Sequence, residues 1–279
     1  MKNFRIIPRL DIKNGLLIKG INLEGLRILG DPLDFAKKYY LDGADEICYI
    51  DIVSSLYETK NITKFIKKTA QSNFIPLTAG GGIKDLNDID EILNNGADKI
   101  CLNSAIIKNI NLLNSAAKRF GSSTITALVE IITIDKKLFI TSNNGREPHD
   151  INPINWIKKL QDNGAGEIII TSVNDEGLYK NFNLKILETL SKILNIPFLL
   201  HGGFGCKEHI YQIANRSNAS GVLLSSLLHY NYLYCSKINI KKVKIGNTNF
   251  IKNKKKQKKN NIIMTIKKFL KNKKINVRI

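Results

Sequence analysis

The chain is poor in the residues that most metal, redox and membrane chemistries require. Its 279 residues hold four cysteines, Cys48, Cys101, Cys206 and Cys235, and no two of them stand at a metal-ligand spacing. Cys48 and Cys101 lie inside apolar runs and read as buried thiols. The four histidines form no cluster with them, so neither a structural metal nor a disulfide framework is expected, and no cofactor is implied. No stretch approaches the ~18 uninterrupted apolar residues of a membrane span. The opening Met-Lys-Asn-Phe-Arg lacks a signal-peptide pattern, which predicts a cytoplasmic protein without a membrane partner. No glycine fingerprint of the dinucleotide-binding kind follows the first strand-like segment.

Acidic residues are missing from one region altogether. Between Lys237 and Ile279 there are 15 Lys and 1 Arg but no Asp or Glu. The net charge of +19 is therefore uneven, with 27 basic against 24 acidic residues left in 1–236. The body is a nearly neutral globule with a basic tail. The tail has few interleaved aromatics, so it reads as a solvated Lys/Asn-rich segment, and no nucleic-acid partner is expected.

What is present is a repeated alternation. Short apolar runs occur at 5–11, 46–52, 75–79, 99–103, 125–131, 167–173, 197–201 and 221–225. Continuous runs of this length suit parallel strands buried on both faces. Amphipathic segments such as 34–41, 85–94, 111–120, 154–163 and 184–194 lie between them. The pattern predicts an α/β protein, a (β/α)8 TIM barrel, over 1–230. A low-complexity insertion is expected at 231–262 and a closing helix and C-terminal segment at 263–279. The sequence also echoes itself at about 120 residues: Gly43-Ala-Asp-Glu-Ile with Gly164-Ala-Gly-Glu-Ile, and Gly80-Gly-Gly-Ile with His201-Gly-Gly-Phe. Two similar half-barrels would leave this echo, and it pairs Asp11 with Glu130.

Barrel enzymes carry their sites at the carboxyl ends of the strands. Those ends hold Asp11 and Glu130, two opposed carboxylates suited to acid–base work. They also hold Thr171, placed at the substrate, and two sets of small residues: Gly81, Gly82, Asn103 and Ser104, then Gly202, Gly203, Ser225 and Ser226. Bare backbone N–H groups and hydroxyls of this kind can cradle phosphate, so two cradles predict an elongated substrate with a phosphate at each end. Arg5, Glu46, Lys99 and Glu167 stand at the opposite strand ends, where alternating charges can plug the barrel.

Arg5–Asp11, Lys19-Gly20, Leu26-Arg27, Gly30-Asp31-Pro32, Gly80–Ile83, Gly96–Lys99, Asn103, Phe120-Gly-Ser, Gly164–Glu167, Thr171-Ser172, Gly177 and His201-Gly-Gly together resemble the cyclase subunit of imidazole glycerol phosphate synthase. The resemblance runs from residue 4 to about 230 and resumes at Lys273–Arg278. It implies a lyase that takes ammonia from a glutaminase partner docked at the amino-terminal face of the barrel. The substrate it implies is a phosphorylated small molecule, a bis-phosphorylated ribulosyl-formimino aminoimidazole carboxamide ribonucleotide. It further implies Asp11 as general acid or base, Lys19 in a closing loop over 13–31, and Gly177 beside the substrate. Arg5, Glu46, Lys99 and Glu167 become the ammonia gate, and Asp98 part of the docking face.

Several positions depart from the family pattern. Glu130 replaces an Asp, Ile132 a lysine, Glu176 an Asp and Arg9 a small residue. The loop Asn143–Glu147 and the Lys/Asn insertion are untypical. These departures open a second reading, a paralogue that channels ammonia to amidation or amidine formation on a sugar for surface-glycan synthesis.

Overall fold

A computed structural model describes residues 3–54, 62–235 and 261–279. Among the described residues there are twelve strands: β1 (Arg5–Lys13), β2 (Leu16–Ile21), β3 (Glu24–Gly30), β4 (Ile47–Asp51), β5 (Leu77–Gly80), β6 (Lys99–Leu102), β7 (Ile125–Ile134), β8 (Lys137–Ser142), β9 (Glu147–His149), β10 (Glu167–Ser172), β11 (Phe198–His201) and β12 (Gly221–Leu224). Eight of them pair in parallel in the cycle β1-β4-β5-β6-β7-β10-β11-β12 and back to β1. The chain is a closed (β/α)8 barrel. Each apolar run of the sequence forms one of these eight strands, because both faces are covered: every residue of β4, β5, β10, β11 and β12 is buried. One face meets the helices; the other meets the lumen, where Ile7, Cys48, Cys101, Leu128, Ile169, Leu199 and Leu223 pack together.

Helix starts are set locally. Asp31 accepts from Leu33 N ahead of helix Pro32–Leu41, with proline in the first turn. Asp85 and Asn152 cap helices Leu86–Asn94 and Pro153–Asp162 in the same way. These caps orient the helices back along the barrel and leave the βα loops at the carboxyl rim.

Two hairpins were not expected. The segment 13–31, read from sequence as a mobile loop, is an antiparallel extension in which β2 pairs β1 and β3 pairs β2. Asn14 (φ 49°) and Gly15 (φ 75°) make its first turn in the left-handed region, as a two-residue hairpin turn needs. The same device follows β7, where β8 folds back on it around Asp135 and Lys136 and β9 folds back on β8. Each half-barrel thus opens with a long strand and a hairpin, which agrees with the repeat in the sequence.

Helix Ser226–Cys235 continues through 231–235, so the first residues of the expected insertion are helical. Residues 236–260 lie outside the described residues. Helix Ile262–Asn272 buries Ile263, Ile266 and Leu270 against the barrel. Lys267, 1% exposed, donates to Asp45 Oδ1 and Gly43 O, both at 2.6 Å. Asp45 Oδ2 in turn accepts from Ile6 N at 2.8 Å. This buried pair ties the C-terminal helix to the first strand.

Lys267→Ala removes the main cation from a buried carboxylate and should lower the unfolding free energy by about 3 kcal/mol in urea titrations. Deleting Lys237–Asn260, which spares the Asn261 cap, removes 10 Lys and leaves a formal charge of +9; it should leave the melting temperature unchanged and lower the salt concentration needed for elution from a cation exchanger.

Candidate active site

Asp11 and Glu130 stand at the carboxyl rim of β1 and β7, and both are buried. Both paired carboxyls thus lie at the same rim, and a third group, Arg9, lies with them. Arg9 Nε donates to Asp11 Oδ1 at 2.8 Å. Its Nη1 reaches His201 Nδ1 at 3.2 Å and Thr171 Oγ1 at 3.4 Å. Burial alone would depress the guanidinium, but Asp11 and Glu130 more than offset it, so its affinity for the proton rises. Glu130 Oε2 accepts from Asn103 Nδ2 and from Gly145 N, each at 3.0 Å. Burial pushes the Glu130 carboxyl up to about 7; Arg9, Gly145 and Asn103 pull against this, and Asp11 adds to it. A carboxyl poised there exchanges a proton near neutral pH. In the β8–β9 turn, Asn143 (φ 52°), Asn144 (φ 60°) and Gly145 (φ 79°) bend the chain and aim the Gly145 N–H at the Glu130 carboxylate.

At the lower end of the barrel the four predicted charges form a ring. Arg5 pairs with Glu46 at 3.0 Å and with Glu167, and Lys99 pairs with Glu46 at 3.2 Å and with Glu167 at 3.0 Å. Thr78 Oγ1 donates to Glu46 Oε1 at 2.6 Å. Two cations and two carboxylates alternate, so the ring is neutral. Although burial opposes it, pairing with Arg5 and Lys99 holds the Glu167 carboxyl below its ordinary range. Asp98 sits outside this ring, exposed, with its Oδ2 accepting from Leu77 N at 2.8 Å.

The two small-residue sets differ in openness. Gly81, Gly82, Asn103 and Ser104 line a cavity of about 340 Å³ that Glu130 also borders. Gly177, Gly202, Gly203, Ser225 and Ser226 line the second, together with Glu176 and His201, and it holds only about 10 Å³. The backbones match: φ is 104° and 70° at Gly81 and Gly82, and 105° and 84° at Gly202 and Gly203. A Cβ on Gly81 would fall 2.1 Å from Asp51 O, and one on Gly202 2.6 Å from Ser172 O, so both sites require glycine. The second cavity is closed by the β2–β3 hairpin. Lys19, 1% exposed, pairs with Glu176, and Asn22 N donates to Glu176 O at 2.8 Å. Lys19 thus lies with the second cradle and not with the first. Among the described residues no group of three or more His, Cys, Asp or Glu side chains is arranged to hold a metal ion, and no helix among them is long and apolar enough to cross a membrane.

Comparison with known proteins agrees with this architecture. A family model described as "Histidine biosynthesis protein" matches residues 5–234. The chain belongs to this histidine biosynthesis family. It is 42% identical to a Legionella pneumophila protein over 206 residues, covering 74% of this chain and 97% of that one. It is 40% identical to a Campylobacter concisus protein over 240 residues (86% and 93%) and 39% identical to a Prochlorococcus marinus protein over 237 residues (82% and 91%). Each of those proteins is named imidazole glycerol phosphate synthase subunit HisF.

Within this family member the structure gathers Asp11, Glu130, Asn103 and Thr171 around the upper lumen, whereas Asp98 and the four-charge ring stand at the other pole. Sequence reasoning missed three participants. Arg9 stands out in the sequence as a departure, His201 as part of the echo and of a family motif, and Gly145 as part of an untypical loop, none of them with a role.

The sign of the Glu130 shift gives a test. Its folded value of about 7 lies above the ordinary 4.5. The protonated form is therefore favoured by folding, and that contribution is present in acid and is lost as pH rises from 4.5 to about 7. Glu130→Gln, which can still accept from Asn103 and Gly145, is insensitive to this titration. Its stability relative to the parent should rise by roughly 3 kcal/mol between pH 4.5 and pH 8 in paired denaturant titrations.

Proposed function

We propose that the chain is the cyclase subunit of an imidazole glycerol phosphate synthase, working in histidine biosynthesis. Ammonia and a bis-phosphorylated ribulosyl-formimino aminoimidazole carboxamide ribonucleotide are converted to imidazole glycerol phosphate, an aminoimidazole carboxamide ribonucleotide and one water, the water carrying off the ribulosyl carbonyl oxygen. The observation that carries the reading is a pair of buried rim carboxyls, one poised near neutral pH, inside a barrel whose relatives bear that name over almost their whole length.

Ring closure with ammonia moves protons onto and off nitrogen and oxygen of one bound molecule. Glu130, partly protonated at neutral pH, supplies and reclaims a proton. Asp11, ion-paired to Arg9, accepts one. Gly81, Gly82, Asn103 and Ser104 hold one phosphate of the substrate through backbone amides and small polar groups. Gly177, Gly202, Gly203, Ser225 and Ser226 hold the other once the hairpin carrying Lys19 shifts. Thr171, beside Arg9 and His201, faces the reacting centre from below.

Arg5, Glu46, Lys99 and Glu167 serve as the ammonia gate, since a neutral ring of paired charges can part for a small neutral molecule. A glutaminase docks at the same pole. Support for this face comes from a concavity of about 370 Å³ lined by Ile47, Asn73, Phe74, Pro76, Leu77 and Asp98 at the amino ends of the strands, with Phe74 83% exposed. An exposed aromatic beside a polar rim suits a protein partner.

The sugar-directed paralogue is not favoured: the three relatives all carry the imidazole glycerol phosphate synthase name despite Glu130 and Ile132 in this chain.

In an ammonia-dependent assay with the bis-phosphate ribonucleotide, Asp11→Asn should lose turnover by at least about 100-fold. Its affinity for the substrate, read by calorimetry, should stay within about threefold, because the cradles are untouched. Wild-type turnover in Asp11→Asn would remove this carboxylate from the reaction.

A further inference from the structure

Arg9 is a large charged residue where a barrel lumen ordinarily takes an apolar side chain. Its partners come from around the whole barrel: Asp11 on β1, Thr171 on β10 and His201 on β11 by hydrogen bond, with the charges or polar groups of Cys48 on β4, Cys101 on β6 and Glu130 on β7 close by. Only a side chain lying along the axis can face so many strands, and it is fully buried. It lies directly below the carboxyl pair.

Arginine has donors and no acceptor. The nitrogen of His201 that Arg9 touches, Nδ1, must therefore be the bare acceptor of the ring. Thr171 Oγ1, 3.3 Å from the same Nδ1, can donate to it as well. The ring proton is then on Nε2. That N–H lies 3.3 Å from Ser225 Oγ, and Ser225 Oγ itself donates to Arg9 O at 3.1 Å. His201 and Ser225 both line the second cradle. Burial, together with the neighbouring charges of Arg9 and Lys19, holds His201 well below its ordinary range, so it stays neutral. Arg9 Nη2, also buried, has no hydrogen-bond partner. A purely structural arginine would use its whole fork, and this one retains a donor in the lumen beneath the reacting groups.

We propose that Arg9 is a positioning residue that fixes Asp11 at the rim and holds His201 as the Nε2–H tautomer, making His201 a neutral N–H donor to the phosphate that enters the second cradle. This rests on the reading of the chain as a bis-phosphate cyclase. It gives one side chain two consequences: the orientation of the acid–base pair and the donor set of a phosphate site. A neutral donor suits a phosphate that must later leave, because it directs the anion without a full ionic attraction.

Two readouts test this on the full-length chain. The first needs no activity: nitrogen-15 NMR of the histidine rings in the wild-type protein should give His201 as the Nε2–H tautomer, perturbed on titration with inorganic phosphate. Arg9→Met should leave a mixture of tautomers. The second is the pH profile of ammonia-dependent turnover in Arg9→Gln and Arg9→Lys. Glu130 faces Arg9, Asp11, Asn103, the Gly145 N–H and Cys101, and among these Arg9 is the cation. Arg9→Gln should move the limb near neutral pH upward by about one unit or more and lower kcat about tenfold. Arg9→Lys should keep the limb near its place. An Nδ1–H tautomer in the wild type would overturn the proposal whether or not any variant folds. So would an unmoved pH limb and tautomer in a folded Arg9→Gln. Absence of wild-type turnover would instead count against the cyclase reading, with the tautomer result standing apart.

Discussion

A closed eight-stranded lumen cannot hold an uncompensated charge, and this chain fills much of its lumen with charge. At the lower pole the account balances, two cations against two carboxylates in the ring of Arg5, Glu46, Lys99 and Glu167. Under the hairpin, Lys19 meets Glu176 one to one. In the upper lumen it does not balance: Arg9 faces both Asp11 and Glu130. Asp11 has the guanidinium in direct contact. Burial pushes the Glu130 carboxyl up to about 7; Arg9 pulls against this and the second carboxylate, Asp11, adds to it. The raised Glu130 carboxyl thus follows first from its removal from water and only then from one cation facing two carboxyls.

That constraint also explains the asymmetry between two halves that are otherwise alike. The glycine pairs at 81–82 and 202–203 share their backbone angles, and each half opens with a strand and a hairpin. The first half keeps an open cavity beside Glu130. In the second half the hairpin carrying Lys19 lies against Glu176 and leaves almost no free volume. The two glycine-lined sites are equivalent in backbone and different in occupancy by the chain itself: a buried ion pair, Lys19 with Glu176, stands at the second and, among the described residues, none stands in the first.

Much of this was legible in the sequence for identifiable reasons. All eight barrel strands announced themselves because both of their faces are buried and their apolar runs are uninterrupted. The pairing of Asp11 with Glu130 followed from the half-barrel echo alone. The hairpins did not, because Asn14-Gly15 and Asn143–Gly145 read equally well as loop chemistry, and only the register of β2 on β1 and β9 on β8 makes them turns. Lys19 with Glu176, 157 positions apart, and Arg9 with His201, 192 apart, are contacts of the closed barrel that no local pattern carries. The Gly145 N–H bonded to Glu130 belongs to the same class, since a backbone donor leaves no trace in residue identity.

Burial, with a second carboxyl nearby and one cation pulling against it, leaves Glu130 as a carboxyl that titrates near neutrality. Difference infrared spectroscopy of the carboxyl stretch, wild type against Glu130→Gln, measures this directly across a pH series. The account predicts a protonated carboxyl that disappears with a midpoint near 7. A midpoint near the ordinary 4.5 would contradict it and leave the pair as two plain carboxylates.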